Sequence, residues 1–166
     1  MAIREILLLG NPKLYAVCEP ITQEEVPSLV PVVADLRDTM LEFRRQWNAG
    51  RAIAAPQIGV QKRLVYMEIE SPTPMLNPVL TQLSDERFEL WDDCMSFPEL
   101  FVYVSRHRRC DITFRDMDWV EHTLHLEGDL AELLQHECDH LDGILAVMRA
   151  VNGRSFALRS EHRRRA

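Results

Sequence analysis

The chain has 166 residues, 46% of them hydrophobic, and a formal net charge of −7 at pH 7. This length and apolar content suffice for one domain with its own core, and the acidic balance excludes a general or sequence-specific nucleic-acid-binding protein, which needs clustered Lys and Arg. No apolar run approaches the roughly 20 residues of a membrane helix, and the N-terminus lacks a signal-peptide pattern. We therefore expect a cytoplasmic protein that does not bind membranes.

A long helix is predicted first in chain order. Apolar residues recur every three or four positions from Leu29 to Phe43, so we predict a helix over about residues 24–46. Pro27 fits the first turn of that helix. Pro31 would remove a backbone hydrogen bond inside it, which favours a regular start near residues 28–31.

Strands are predicted for most of the middle of the chain. The runs rich in strand-forming residues are 63–69, 88–91, 100–104, 110–114 and 122–126. Residues 115–118 predict a turn between the last two runs. Residues 72–78 contain three prolines and one asparagine, and we expect loops there.

A second helix is predicted from Asp129 to about Gly143, because its leucines recur at spacings of three and four. The pattern as a whole predicts an α+β fold, in which a mostly antiparallel sheet packs against a long N-terminal helix and a C-terminal helix. We expect a single catalytic domain over residues 1–150. Residues 151–166 would form a basic, solvated tail.

The second helix carries a metal-binding pattern. His136 and His140 lie one turn apart on one helix face, where both can bind one ion, and Glu137 can act on the water beside it. A third protein ligand is needed to leave one position open for catalysis. The extended metalloprotease pattern fails because Ala146 stands where a third histidine belongs. Cys94 lies in a polar, loop-like segment that suits an exposed thiolate ligand.

Three separated segments together resemble the signatures of the peptide deformylase family. They are GRAIAAPQIG (Gly50–Gly59), the DDCMS segment around Cys94, and HECDHLDG (His136–Gly143), in that order and at about the family's separations. The similarity extends from about residue 6 to 148. It implies a hydrolase that removes the formyl group from the N-terminal formylmethionine of nascent polypeptides.

The resemblance also implies the composition of the site. Cys94, His136 and His140 would hold one divalent ion, usually Fe²⁺ in this family, although Zn²⁺, Ni²⁺ or Co²⁺ suit the same ligands. Glu137 would transfer protons. The side chain of Gln57 and the backbone N–H of Met95 would donate to the oxyanion. Residues expected to border the substrate are Gly50, Arg51, Ala52, Ile53, Asp92 and Asp93.

The chain departs from the family pattern at four positions. Ala52 and Asp93 stand where the family usually has glycine, and Asp129 and Glu132 stand where apolar residues usually form the methionine pocket. A charged rim would weaken the binding of a methionine side chain. Two alternatives therefore stay open, a related metal-dependent amidase or protease with another acyl specificity, and a non-catalytic binding module. An arginine-rich tail is a candidate ribosome contact.

Overall fold

The computed structural model describes residues 2–162 and 164 of the chain. The helices among these residues are α1 (Val26–Trp47), α2 (Asp129–Leu141) and the short α3 (Arg159–His162). The strands are β1 (Ala52–Ala54), β2 (Leu64–Glu68), β3 (Pro72–Thr81), β4 (Arg87–Asp93), β5 (Leu100–His107), β6 (Arg109–Arg115), β7 (Glu121–Glu127) and β8 (Phe156–Leu158). No helix in the described part is long and apolar enough to cross a membrane.

The strands form two sheets, and every neighbouring pair within them is antiparallel. The larger sheet has the order β1-β2-β3-β6-β7, and the smaller sheet has the order β4-β5-β8. The predicted α+β class is confirmed. The sequence predicted one sheet, whereas the strands divide into two because β4 and β5 pair with each other and with the distant β8.

Strand β3 corrects the expectation of loops over residues 72–78. Pro72 and Pro74 lie where β3 pairs only with β2, so their missing N–H groups interrupt no second ladder. Pro78 lies where the β3–β6 register shifts, between Leu76 and Val79. Asn77 has a φ of 50° at that irregularity, and its backbone N–H donates to the carbonyl of Arg63. The strand therefore accommodates its prolines at positions without a regular partner.

The C-terminal segment corrects the expectation of a solvated tail. β8 pairs with the start of β5, and Ser155, Ala157 and Arg159 are buried. The guanidinium of Arg159 donates to the carboxylate of Asp93 at 2.8 Å. Two arginines predicted to belong to this tail, Arg163 and Arg165, lie outside the described residues.

Helix α2 is buried around its whole circumference from residue 131 to 141. It contacts β1, β3 and β7 of the larger sheet and β5 of the smaller one. Because a buried polar side chain is costly unless it has a partner, the polar residues of α2 need specific partners or a ligand. The helix ends before Gly143, whose φ is +70° and where a Cβ would lie 2.5 Å from the carbonyl oxygen of Tyr15.

Candidate metal centre

Three potential ligand atoms converge where α2 faces the end of β4. The Nε2 atoms of His136 and His140 are 3.2 Å apart, and the Sγ atom of Cys94 lies 3.3 Å from Nε2 of His140. All three residues are buried. The helix supplies the two imidazoles from successive turns of one face, and the thiol comes from the residue directly after β4.

These separations fit one tetrahedral metal ion. Ion–nitrogen bonds of about 2.0–2.1 Å and an ion–sulfur bond of about 2.3 Å, as for zinc, would place two nitrogens about 3.4 Å apart and a nitrogen and a sulfur about 3.6 Å apart. The observed separations of 3.2 and 3.3 Å between the ligand atoms are close to these expected distances. Nitrogen and thiolate donors also suit a first-row transition metal.

A buried carboxylate orients the first histidine. Nδ1 of His136 donates to Asp92 at 2.9 Å, which leaves Nε2 free of a proton whenever the ring is neutral. Burial lowers the pKa of His136, but the negative charges of Asp92 and Cys94 outweigh burial and raise that pKa well above its ordinary value. Burial and the neighbouring His136 hold the pKa of His140 well below its ordinary value, so His140 is a neutral imidazole.

The carboxylate of Asp92 belongs to a longer buried chain of charges. Arg106 donates to Asp92 at 3.1 Å and to Asp139 at 2.5 Å, and Arg149 donates to the other oxygen of Asp139 at 2.8 Å. Neither Arg106 nor the contacts of Asp139 were predicted from the sequence. Asp139 could have been singled out because it lies inside the motif His136–His140. Arg106 lies on β5, outside any motif, and nothing in the sequence indicates its role.

Cys94 is buried rather than exposed, which corrects the prediction of an accessible thiolate. The backbone N–H of Ser96 points at its Sγ at 3.4 Å, and Nε2 of Gln57 lies 3.5 Å from it. Oε1 of Gln57 accepts from the backbone N–H of Ala54 at 2.9 Å, so the amide nitrogen must be the end that faces the centre. Gln57 thus presents a fixed N–H donor beside the three ligands.

Glu137 is buried, and its Oε2 atom has no hydrogen-bond partner among the described residues. Burial raises the pKa of Glu137 to about 7, with His136 opposing this effect. A buried carboxylate with a raised pKa and a free oxygen next to three metal-type ligands is a candidate for proton exchange.

A cavity of about 260 Å³ opens onto this centre. Its walls come from residues 49–52, from residues 90–95 and from the first half of α2. Both β1 and β4 are edge strands of their sheets, and each borders the cavity. An extended chain in the cavity would therefore meet an edge strand that has no neighbour on that side in its sheet.

The six predicted substrate residues lie in four different settings. Gly50, Arg51 and Ala52 line the cavity, and Gly50 has a φ of +111°, a conformation that residues with a side chain rarely adopt. Ile53 is fully buried and packs in the core beside α1. Asp92 has its carboxylate engaged by His136 and Arg106.

Asp93 borders the cavity with its charge already paired with Arg159. Two further acids on α2 also line the cavity. Asp129 is exposed, whereas Glu132 is buried and accepts from Nη2 of Arg51 at 3.4 Å. Burial raises the pKa of Glu132 to about 7, and the charge of Asp92 adds to this effect.

A family model described as polypeptide deformylase matches residues 3–155. The peptide deformylase of Leptospira biflexa is 37% identical over 170 aligned positions, which cover 94% of this chain and 92% of that protein. Peptide deformylase 1 of Prochlorococcus marinus is 35% identical, with coverage of 97% and 88%.

Solved structures agree with these matches. The crystal structure of peptide deformylase from Thermotoga maritima superposes with a TM-score of 0.84 at 28% identity, and the match covers 92% of this chain and 100% of that one. A peptide deformylase from Synechococcus elongatus in complex with actinonin has a TM-score of 0.83 at 26% identity, with coverage of 90% and 80%.

Proposed function

The chain belongs to the polypeptide deformylase family, and on that premise we propose that it is a metal-dependent hydrolase that releases formate from N-formylmethionyl peptides. The observation that carries the proposal is the convergence of Cys94, His136 and His140 beside an unpartnered Glu137 oxygen in a cavity with an open strand edge.

Cys94, His136 and His140 would hold the ion, which supplies Lewis-acid activation of the water and of the formyl carbonyl. Glu137 accepts the proton that the attacking water loses. The same carboxyl group then delivers a proton to the amine nitrogen as the carbon–nitrogen bond breaks, so that formate and a free N-terminus leave. Its Oε2 atom supports this shuttle, because no group among the described residues forms a hydrogen bond with it.

Gln57 and Met95 stabilise the negative oxygen that forms during attack. The amide nitrogen of Gln57 is aimed at the centre by the bond from Ala54 to its oxygen, and Met95 follows the cysteine directly and lines the same cavity. Donors that are held in place before the reaction lower the barrier, because they do not have to reorganise when charge develops.

The peptide part of the substrate lies along residues 50–52. β1 has β2 on one side, and its other edge borders the cavity. Backbone hydrogen bonds to an added strand would hold any peptide sequence, as an enzyme that acts on many nascent chains requires. We assign Asp92 to the orientation of His136 rather than to substrate contact, because its carboxylate is already engaged.

We propose Fe²⁺ as the ion. A thiolate with two imidazoles accepts Fe²⁺, Zn²⁺, Ni²⁺ or Co²⁺, and metal supply decides among them. Purification under anaerobic conditions followed by elemental analysis tests this choice. One iron per active chain supports it, and full activity in protein that holds only zinc contradicts it.

We also propose a cytoplasmic location and a weak contact with ribosomes through the C-terminal arginines. Arg154 and Arg164 are exposed and can reach phosphates. Changing both residues to glutamine should reduce co-sedimentation with ribosomes at low salt, with no effect on short peptides. Equal co-sedimentation of both proteins would count against this contact.

The proposed reaction is tested by formate release from formyl-Met-Ala-Ser, with unformylated Met-Ala-Ser and acetyl-Met-Ala-Ser as comparison substrates. Metal-loaded protein should release formate and leave both comparison peptides intact. Cleavage of the acetyl or peptide bond at equal rates would identify a different amidase.

A further inference from the structure

Two groups of the proposed reaction lie on one short connection, residues 93–98, which we call the Cys94 loop. It carries the Cys94 ligand and the backbone N–H of Met95, and it leads from the end of β4 towards β5. The backbone N–H of Phe97 donates to the carbonyl of Cys94 at 3.1 Å, so the loop folds back in a tight turn. A shift of this turn would move the thiolate and the N–H donor together.

The middle of the Cys94 loop is held from the interior of the protein. The backbone N–H of Leu9 donates to the carbonyl of Ser96 at 2.8 Å, and Nε2 of Gln57 lies 3.2 Å from the hydroxyl oxygen of Ser96. Ser96 is fully buried. Contacts at one point leave the ends of a loop free to pivot, so the position of Cys94 also depends on what holds the two ends.

One side chain holds both ends of the Cys94 loop. Nη2 of Arg159 donates to the carboxylate of Asp93 at 2.8 Å, and Nε of Arg159 donates to the carbonyl of Pro98 at 2.6 Å. The backbone N–H of Arg159 also donates to the carbonyl of Glu99 at 2.7 Å. Because a guanidinium is planar and its donors have a fixed arrangement, a single group that bonds both ends sets the distance between them.

Arg159 is itself fixed in place. It is only 8% exposed, and its guanidinium carbon lies 4.6 Å from the ring centroid of Phe101 and 5.5 Å from that of Trp47. Both distances are within the range of about 6 Å in which a cation is attracted to an aromatic ring. The backbone before it is anchored as well, because Leu158 pairs with Leu100 of β5. The support of the loop is therefore rigid, unlike an exposed ion pair on the surface.

On the basis of the proposed deformylase reaction, we propose that Arg159 is a positioning residue for catalysis. It holds the Cys94 loop, and with it the thiolate ligand and the Met95 N–H, through Asp93 and the carbonyl of Pro98. It acts through the loop rather than on the substrate. A misplacement of reacting groups by about 1 Å lowers a rate by about 100-fold, even when the mutated residue is distant. The segment predicted to be a solvated tail therefore supplies part of the catalytic geometry.

The separate effects on kcat and KM test this role, with formyl-Met-Ala-Ser and metal-loaded protein. Arg159→Ala should lower kcat by about 10- to 100-fold and change KM by less than about threefold, because the proposed peptide wall, residues 50–52, lies outside the loop. Both values are taken per folded, metal-loaded chain, so a variant that only unfolds more easily keeps the parent kcat. Arg115→Ala is the matched control and should also keep the parent kcat. Arg115 likewise donates to a carbonyl and a carboxylate and lies over an aromatic ring, but outside the cavity lining.

Further variants test the route by which Arg159 acts. Arg159→Lys keeps the charge but lacks the planar fork, so its kcat should lie between those of the parent and Arg159→Ala. Asp93→Ala should also lower kcat, and it gives the same test if Arg159→Ala folds poorly, because the side chain of Asp93 is 38% exposed. Asp93→Asn keeps an acceptor oxygen and should retain most of kcat. The double variant Asp93→Ala/Arg159→Ala should be no slower than Arg159→Ala, because residues in contact act as a unit.

An absorption spectrum separates this inference from the proposed reaction. When Co²⁺ is bound, the thiolate of Cys94 gives a charge-transfer band in the near ultraviolet, whose energy and intensity depend on the geometry of the cobalt–sulfur bond. The band should change in Arg159→Ala and match the parent in Arg115→Ala. That change supports the positioning role even if no peptide releases formate. Formate release by the parent with an unchanged band in Arg159→Ala, with the parent kcat in Arg159→Ala and Asp93→Ala, or with additive losses in the double variant, retains the deformylase and overturns the positioning role.

Discussion

Asp92→Ala is predicted to weaken the metal site and the fold at the same time. The substitution removes a buried carboxylate that accepts from Nδ1 of His136 at 2.9 Å and from Arg106 at 3.1 Å. Loss of a group that orients a metal-binding histidine reduces metal affinity by about 10- to 100-fold. We expect a loss within that range, because His136 keeps its place on α2 and loses only its orientation and the nearby charge.

The loss of stability follows from the second contact. Removal of one member of a buried ion pair costs about 3–5 kcal/mol, because the remaining charge stays buried. Arg106 keeps its bond to Asp139 at 2.5 Å, so we expect the lower end, about 3 kcal/mol. Asp92→Asn keeps an acceptor oxygen and should show smaller losses of both metal affinity and stability.

Metal affinity is measured by competition with a chelator of known affinity, and stability by urea unfolding of metal-free protein, because bound metal would add to the stability of the folded state. Asp93→Asn is the matched control, since the neighbouring carboxylate of Asp93 pairs with Arg159 and not with His136 or Arg106. The reasoning is refuted if Asp92→Ala binds metal as tightly as the Asp93→Asn control, or if the two unfold at the same urea concentration.

Three further predictions concern other parts of the site. Cys94→Ser should reduce metal content or change which ion binds, because a hydroxyl is a harder and less acidic ligand; unchanged metal content and activity would exclude Cys94 as a ligand. Glu137 must be ionised to accept a proton, and burial raises its pKa to about 7, so kcat/KM should fall as the pH is lowered. The positive charge of a bound ion would move the midpoint of this fall to pH 7 or below. A kcat/KM that stays constant from pH 5 to 8 would contradict the assignment. Arg159→Ala should lower the free energy of unfolding by about 1–3 kcal/mol, since Arg159 donates hydrogen bonds to Asp93 and to the carbonyl of Pro98. If the variant and the parent unfold at the same urea concentration, the prediction of a solvated tail is restored.

Helix α2 and its candidate metal ligands could be predicted because the residues that indicate them are close together in the sequence. His136, Glu137 and His140 lie within five positions, and the apolar spacing places them on one helix. The β1 edge could not be located in this way, because three residues carry too little periodicity to indicate a strand. The prolines of β3 predict loops in isolation, and only the pairing of neighbouring strands makes them tolerable.

Contacts between distant residues account for the other failures. Arg51 and Glu132 are 81 positions apart, and Arg106 meets Asp139 across 33 positions. Neither pair leaves a periodic signal in the chain, so the sequence could show the acids of α2 but not which of them is paired. Arg159 falls in the predicted solvated tail for the same reason, because its partner Asp93 lies 66 positions earlier.

The most direct test of the central claim compares the parent protein with Glu137→Ala, both loaded with one ion per chain under anaerobic conditions. Formate release is measured from formyl-Met-Ala-Ser. The parent should hydrolyse this peptide, and Glu137→Ala should keep its metal while losing about 100-fold or more of kcat. Equal turnover by the two proteins, or no formate from the parent with the metal in place, would contradict the account.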